Sequence, residues 1–291
     1  MVKYIHAVMR KASLSCWFLL LTLVLFSFIG IQEGTLFYEE AGEGETIIFV
    51  HGGQEDYSVF TPQIETLKKD FRVITYSRRF NFPNKNQYQK GRPFNPITEA
   101  NDLEKLIKDL GIDNFHLVGH SYGGLIAIAY ANNNLDKLKS LTVSEPPVLS
   151  IEGCEESLKS ANEGLIKKVG DAFITNDSTL IMKAIFEFFV GKDIQNELPP
   201  QVITSLKANL TEMEALVNSE NPFPDLNTQF NVPTLIFTSE YTMPILKCTN
   251  EMLIKNTPNA KHVKILGASH DMWMTHPEVM SLKLKEFILK E

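Results

Sequence analysis

Within Gly119-His120-Ser121-Tyr122-Gly123 a serine stands at the middle of a glycine-bounded pentapeptide. It follows the apolar run Phe115 to Val118 and opens a helix-like stretch from Leu125 to Asn132. A strand, a sharp turn and a helix with serine at the apex hold a hydroxyl out at the end of a sheet, where a substrate carbonyl can reach it. The flanking glycines lack the side chains that would collide with the adjoining strand and helix. A serine hydroxyl is a poor nucleophile at its free pKa, so this chemistry also needs a base to take its proton as it attacks. The pentapeptide alone is a weak signal, and its weight comes from the elements around it.

Those elements alternate. Leu36 to Glu40 reads as a strand and Ala41 to Gly44 as a turn, and Thr46 to Val50 has the short continuous apolar pattern of a strand buried on both faces. Phe60 to Asp70 has helical spacing with Pro62 near its first turn, Arg72 to Tyr76 is another buried strand, and Asn81 to Pro96 is a loop. Ala100 to Leu110 is an amphipathic helix closed by Gly111, and a strand at Ser140 to Ser144 follows the serine turn and its helix. From Glu145-Pro146-Pro147 to Phe230 the strands stop, and Glu155 to Lys168, Ser178 to Val190 and Gln201 to Asn218 look helical. Val232 to Thr238 and Val263 to Leu266 restore the strand pattern, with helices at Lys247 to Asn256 and Pro277 to Lys290. The alternation predicts an α/β fold with a mostly parallel sheet covered by helices on both faces. The helical excursion, about residues 147–230, reads as a lid inserted after the sixth strand, because long excursions from a compact domain are usually functional.

The chain has 291 residues, 44% of them hydrophobic and 22% charged, which suits a globular protein with a sizeable core. A net charge of −7 without basic runs argues against nucleic acid as a partner. Cys16, Cys154 and Cys248 have no metal-ligand spacing; Cys154 and Cys248 could pair in an oxidising compartment, though nothing in the sequence requires it. Residues 12–32 carry no charge and follow Lys3, Arg10 and Lys11, so residues 1–31 read as a signal peptide or an uncleaved signal anchor, with residues 32–291 on the non-cytoplasmic side. The anchor reading makes the membrane a partner through this N-terminal hydrophobic helix. Phe28 to Gln32 has a second reading as the first strand of the fold.

From Leu36 to the carboxyl terminus the chain resembles the α/β-hydrolase superfamily, in its serine-nucleophile branch. The resemblance rests on His51-Gly52-Gly53 after the third strand, Gly119 to Gly124 after the fifth and Gly267-Ala268-Ser269-His270 after the last. Tyr76-Ser77-Arg78-Arg79, running on to Phe80-Asn81-Phe82-Pro83-Asn84, is similar to a variant of the family's Arg-Gly loop. With Ser144 to Pro147 it resembles a bacterial-looking subgroup without an assigned substrate. The resemblance implies Ser121 as nucleophile and His270 as base. It leaves His51 and His120 structural roles, with His120 turned away from the cavity, and His276 a place on the surface. The backbone N–H groups of Tyr122 and Gly53 would form the oxyanion hole. Tyr57 and Trp273 are candidates to line a substrate pocket, as are Phe60 and the lid residues Phe186, Phe188 and Phe189; for each aromatic, ordinary core is the competing reading.

The acid departs from the family's commonest pattern, because Thr242 stands where an aspartate is usual. Two glutamates could replace it. Glu145 lies at the end of the strand after the nucleophile, where a carboxylate serves in the haloalkane dehalogenase branch, and it is preferred over Glu240 at the next strand end. Asp271, adjacent to His270, cannot easily fold back onto the imidazole. The expectation is a hydrolase cleaving a carboxylic ester, a lactone or a related acyl compound of small size, with neither metal nor organic cofactor. Carbon–carbon bond hydrolysis and acyl lyase chemistry stay open on the same fold. So does a non-catalytic, membrane-tethered ligand-binding protein on a hydrolase scaffold. A serine at the elbow counts against dehalogenase and epoxide hydrolase chemistry, for which the family uses an aspartate there.

Overall fold

The computed structural model describes residues 36–290. The hydrophobic N-terminal segment, and with it the alternative strand at Phe28 to Gln32, lies outside the described residues. Among the described residues no helix is long and apolar enough to cross a membrane.

Seven strands form one sheet: β1 (Tyr38–Ala41), β2 (Thr46–Val50), β3 (Arg72–Tyr76), β4 (Phe115–His120), β5 (Leu138–Ser144), β6 (Thr234–Tyr241) and β7 (Lys261–Ser269). Their spatial order is β1-β3-β2-β4-β5-β6-β7, with β1 antiparallel to β3 and every other pair parallel. The central strands are buried along their whole length, which explains continuous apolar runs such as Thr46 to Val50 in place of alternation. Ile48 and Val50 point into one core with α2 (Pro96–Asp109) and α3 (Tyr122–Asn134). Ile47 and Phe49 point into the other, with α1 (Thr61–Leu67) and a C-terminal helix at Pro277–Ile288.

Several element ends differ from expectation, each for a local reason. The first helix begins as a 3-10 turn at Tyr57–Phe60, capped by the Asp56 carboxylate, and stops at Leu67 rather than Asp70. α2 starts at Pro96 rather than Ala100, because Asn95 caps it by accepting from the Thr98 N–H and Pro96 occupies the first turn, where proline fits. After β5, which is the fifth described strand rather than the sixth, the chain runs through α4 (Glu155–Ala161), a π-helical turn (Asn162–Val169) and α5 (Gly170–Phe173). α6 (Ser178–Val190) runs from the Asp177 cap to Gly191, whose φ of 81° closes it. The single helix expected at Gln201 to Asn218 is two, α7 (Pro200–Ala208) and α8 (Leu210–Val217). The break falls at Asn209, which is fully buried and uses its side chain elsewhere: Nδ2 donates to the Gln54 carbonyl and Oδ1 accepts from the Phe82 N–H. The remaining helices are α9 (Pro244–Asn256), α10 (Met272–Thr275) and α11 (Pro277–Ile288).

A disulfide joins Cys154, just before α4, to Cys248 in α9, a bond the sequence left open.

Candidate active site

The C-terminal ends of β2, β4, β5 and β6 and the turn after β7 carry the residues of interest. Ser121, at the end of β4, has φ 51° and ψ −124°, a conformation that non-glycine residues rarely adopt. Its own N–H donates to the Ser144 carbonyl of β5, and its carbonyl accepts from Gly124 and Leu125 as α3 begins. A Cβ on Gly119 would overlap the Gly123 carbonyl, and one on Gly123 would overlap Val50 and His51, so both positions require glycine. The N–H groups of Tyr122 and Gly123, at the first turn of α3, have no acceptor within the helix. Tyr122 is buried, with its ring near the Arg78 guanidinium and its hydroxyl donating to the Pro222 carbonyl.

His270 follows β7, and its Nδ1 lies 2.8 Å from Glu145 Oε2. Glu145 is fully buried at the end of β5, itself in the left-handed region at φ 46°. Its other oxygen accepts from the Ser239 N–H at 2.9 Å, the Ser239 hydroxyl at 2.8 Å and Asn250 Nδ2 at 3.3 Å. Burial pushes this carboxyl up, but the His270 ring, the Ser239 N–H and the Thr242 hydroxyl outweigh it and bring the pKa down to about 2. Thr242, at the position where an aspartate was expected, also accepts from Asn250. Glu240 takes a different partner: it accepts from the Gly267 N–H at 2.7 Å and stands exposed. Asp271 is exposed at the start of α10, where its carbonyl accepts from the Met274 and Thr275 N–H groups. His276 bonds the neighbouring Thr275 hydroxyl.

His120 is buried and takes a structural hydrogen bond, packed beside His270. Its ring centroid lies 4.7 Å from that of His270, and its Nδ1 meets the Ser144 hydroxyl at 3.1 Å. Burial holds its pKa well below the usual histidine value, and the neighbouring His270 ring adds to the effect. His51 is also buried: its Nδ1 bonds the Gly52 carbonyl and its Nε2 accepts from the Arg78 N–H, so the ring braces the loop after β2. Trp273, a pocket candidate with core as the competing reading, belongs to the core. It is buried among Phe49, Phe60 and Phe237, and its indole N–H donates to the Ser144 hydroxyl at 2.7 Å. Phe60 lies in the same core. Tyr57 is half-buried, its ring 4.6 Å from that of Phe37. Phe186 is buried, and the Phe188 ring packs beside Phe189 and lies so close to Gly164 that a Cβ there would overlap it.

Two groups at this site were given no role from the sequence, although Arg78 lies in the quoted Tyr76 to Arg79 motif. Arg78, fully buried, donates to Glu99, to Glu212 of α8 and to the Gly52 carbonyl, while Glu212 also accepts from the Gln54 N–H at 2.9 Å. Burial opposes the guanidinium charge, and the two carboxylates outweigh it and hold the pKa above its ordinary value. The other is Glu55, whose Oε2 accepts from the Gly52 N–H at 2.7 Å. Its position four residues after His51 in a motif loop was the only signal available. Gly53, next to these groups, has room over it: a Cβ there would lie 3.9 Å from the nearest atoms, the Glu212 carboxylate.

The comparisons with known proteins agree with this architecture. The alpha/beta hydrolase fold family matches residues 45–277. A protein of Synechocystis sp., named for non-heme chloroperoxidase activity, is 27% identical over 270 residues, 87% of this chain and 94% of that protein. A thermophilic esterase from Thermogutta terrifontis superposes with a TM-score of 0.63 at 23% identity, covering 88% of this chain and 93% of that one. An epoxide hydrolase from Bacillus megaterium gives a TM-score of 0.67 at 18% identity, covering 88% and 97%. With a family match spanning most of the sheet and the Ser121 turn, the chain belongs to the alpha/beta hydrolase fold family and is an enzyme of that family.

Proposed function

We propose that the protein cleaves a small carboxylic ester, a lactone or a related acyl compound through an acyl-enzyme on Ser121. The observation that carries this reading is the 2.8 Å contact between His270 Nδ1 and the buried Glu145 carboxylate, behind a serine turn of nucleophile type. A carboxylate on Nδ1 leaves Nε2 as the basic nitrogen and stabilises the imidazolium once it forms. His270 takes the hydroxyl proton as Ser121 Oγ bonds to the carbonyl carbon. The N–H groups of Tyr122 and Gly53 donate to the oxyanion, and collapse expels the alcohol with the proton from His270. Water, deprotonated by the same imidazole, then cleaves the acyl-serine bond and restores the enzyme. The structurally similar T. terrifontis protein is an esterase, which supports this reading; the serine at the apex weighs against the epoxide hydrolase reading.

The helices between β5 and β6 act as a lid in this reading. Glu212 and Asn209 support it, since both reach back to Gln54 in the loop that carries Gly53. The Cys154–Cys248 disulfide supports a non-cytoplasmic location, secreted or membrane-anchored, because such bonds persist in oxidising compartments.

Intact-mass analysis of residues 32–291 after exposure to a fluorophosphonate tests the central claim. One adduct, absent from Ser121→Ala, is expected; a folded protein that stays unlabelled, in the full chain as well, would overturn it.

A further inference from the structure

Glu55 plays no part in the mechanism above, yet it stands at its centre. The point where a Cβ on Gly52 would sit is 3.0 Å from Glu55 Oε2 and 3.0 Å from Ser121 Cβ, so carboxylate and nucleophile share the space over one glycine. Oε2 accepts from the Gly52 N–H, and Oε1 lies 3.9 Å from His120 Nε2. The Glu55 side chain keeps 15% of its surface exposed, where that of Glu145 is sealed at 0%. The charged and titratable groups around it are His120 on β4, His270 and Asp271 after β7, and Arg78 after β3. None of them neutralises it by direct contact at ion-pair range other than the histidine, which burial keeps uncharged. Arg78 is committed to Glu99, Glu212 and the Gly52 carbonyl.

A partly desolvated carboxylate without a cationic partner is a poor neighbour for a second anion and a good one for a cation or a hydrogen-bond donor. We propose that Glu55 is a specificity residue, directing the acyl site towards substrates with a cationic or hydrogen-bond-donating group near the scissile carbonyl and against substrates with a carboxylate there. This rests on the acyl-enzyme reading of Ser121. A substrate ammonium, amine or hydroxyl would meet Oε1, leaving the Gly52 N–H on Oε2 undisturbed.

Three fluorophosphonates of equal length provide the test, their alkyl chains ending a few bonds from phosphorus in a methyl, a trimethylammonium or a carboxylate group. Labelling rates of Ser121 in the wild-type protein, taken at about pH 8.5 so that the Glu55 carboxyl is ionised, are divided by that of the methyl probe. The ammonium probe should exceed the carboxylate probe by at least about tenfold, the size of one close, partly screened charge contact. In Glu55→Gln, whose amide oxygen can still accept from Gly52, that ratio should fall to within about threefold of unity. Equal wild-type rates for the two charged probes, or an unchanged ratio in Glu55→Gln, would overturn the assignment while leaving the activated serine intact. The wild-type comparison needs no variant to fold. If none of the three probes labels Ser121, the acyl-enzyme reading fails and this inference with it.

Discussion

Glu145 and Glu55 approach the Ser121 turn from opposite sides and are held in opposite ways. Glu145 is sealed at the end of β5 and surrounded by donors: two from Ser239, one from Asn250 and the His270 ring. Glu55 is half-buried in the loop after β2 and has one backbone donor, Gly52. The first carboxyl is brought down to about 2, and the second is pushed up by burial to about 7. Desolvation acts on both; the number and charge of the donors decide which way each one moves. One position is suited to a permanent negative charge behind an imidazole, the other to a group that gains and loses its proton near neutrality.

The sharpest way to break this contrast is to remove the charge at Glu145. Glu145→Gln should keep the fold and lower kcat by about 10³ to 10⁴-fold, because an amide can present its N–H to Nδ1 and hold the wrong tautomer. Steady-state hydrolysis of the best ester found, alongside circular dichroism, measures it; a loss under tenfold would remove Glu145 from its role. Next in size is the stability cost of Arg78→Met, which strands Glu99 and Glu212 in the core. A loss of about 3–5 kcal/mol is expected from urea unfolding.

The pH dependence of stability separates the two carboxyls by sign. Glu145 has a depressed folded pKa, so its contribution is fully present above its ordinary value of 4.5 and is lost as pH falls towards about 2. Glu55 has a raised one, so its protonated form favours the fold below 4.5 and that advantage is lost as pH rises through about 7. Glu55→Gln should therefore gain stability relative to wild type between pH 5 and about pH 8, read from paired urea midpoints. A difference that is flat with pH would contradict the raised value. The smallest effect belongs to Glu240→Gln, which weakens one exposed bond to Gly267 and should alter kcat by less than about threefold.

The parts of this site visible in the sequence are those where the backbone dictates the residue. Gly119 and Gly123 cannot carry a side chain, and the apolar runs of β2 and β4 follow from burial on both faces, so the serine turn and the sheet were readable. Both candidate acids lay at strand ends and could be named, but only packing reveals that Glu145 faces His270 and Glu240 faces Gly267. For Trp273 the choice between pocket and core stayed open in the sequence, because a four-residue helix, α10, has too little periodicity to show which side meets the core. The helix break at Asn209 and the ion pairs of Arg78 depend on partners far away in the chain, and no local pattern announces them.

The bond between Cys154 and Cys248 spans 94 positions of sequence and encloses the whole helical excursion together with β6. Topologically this makes the segment a closed ring. A protease that cuts once anywhere inside the ring opens it without releasing a fragment: the two pieces stay joined through sulfur, and the ends of the cut are still held by β5 on one side and α9 on the other. A singly nicked protein should run as one band without reductant and as two with it, and it should keep its sheet. The helical excursion is thus a region in which the sulfur bond lets a broken chain be tolerated.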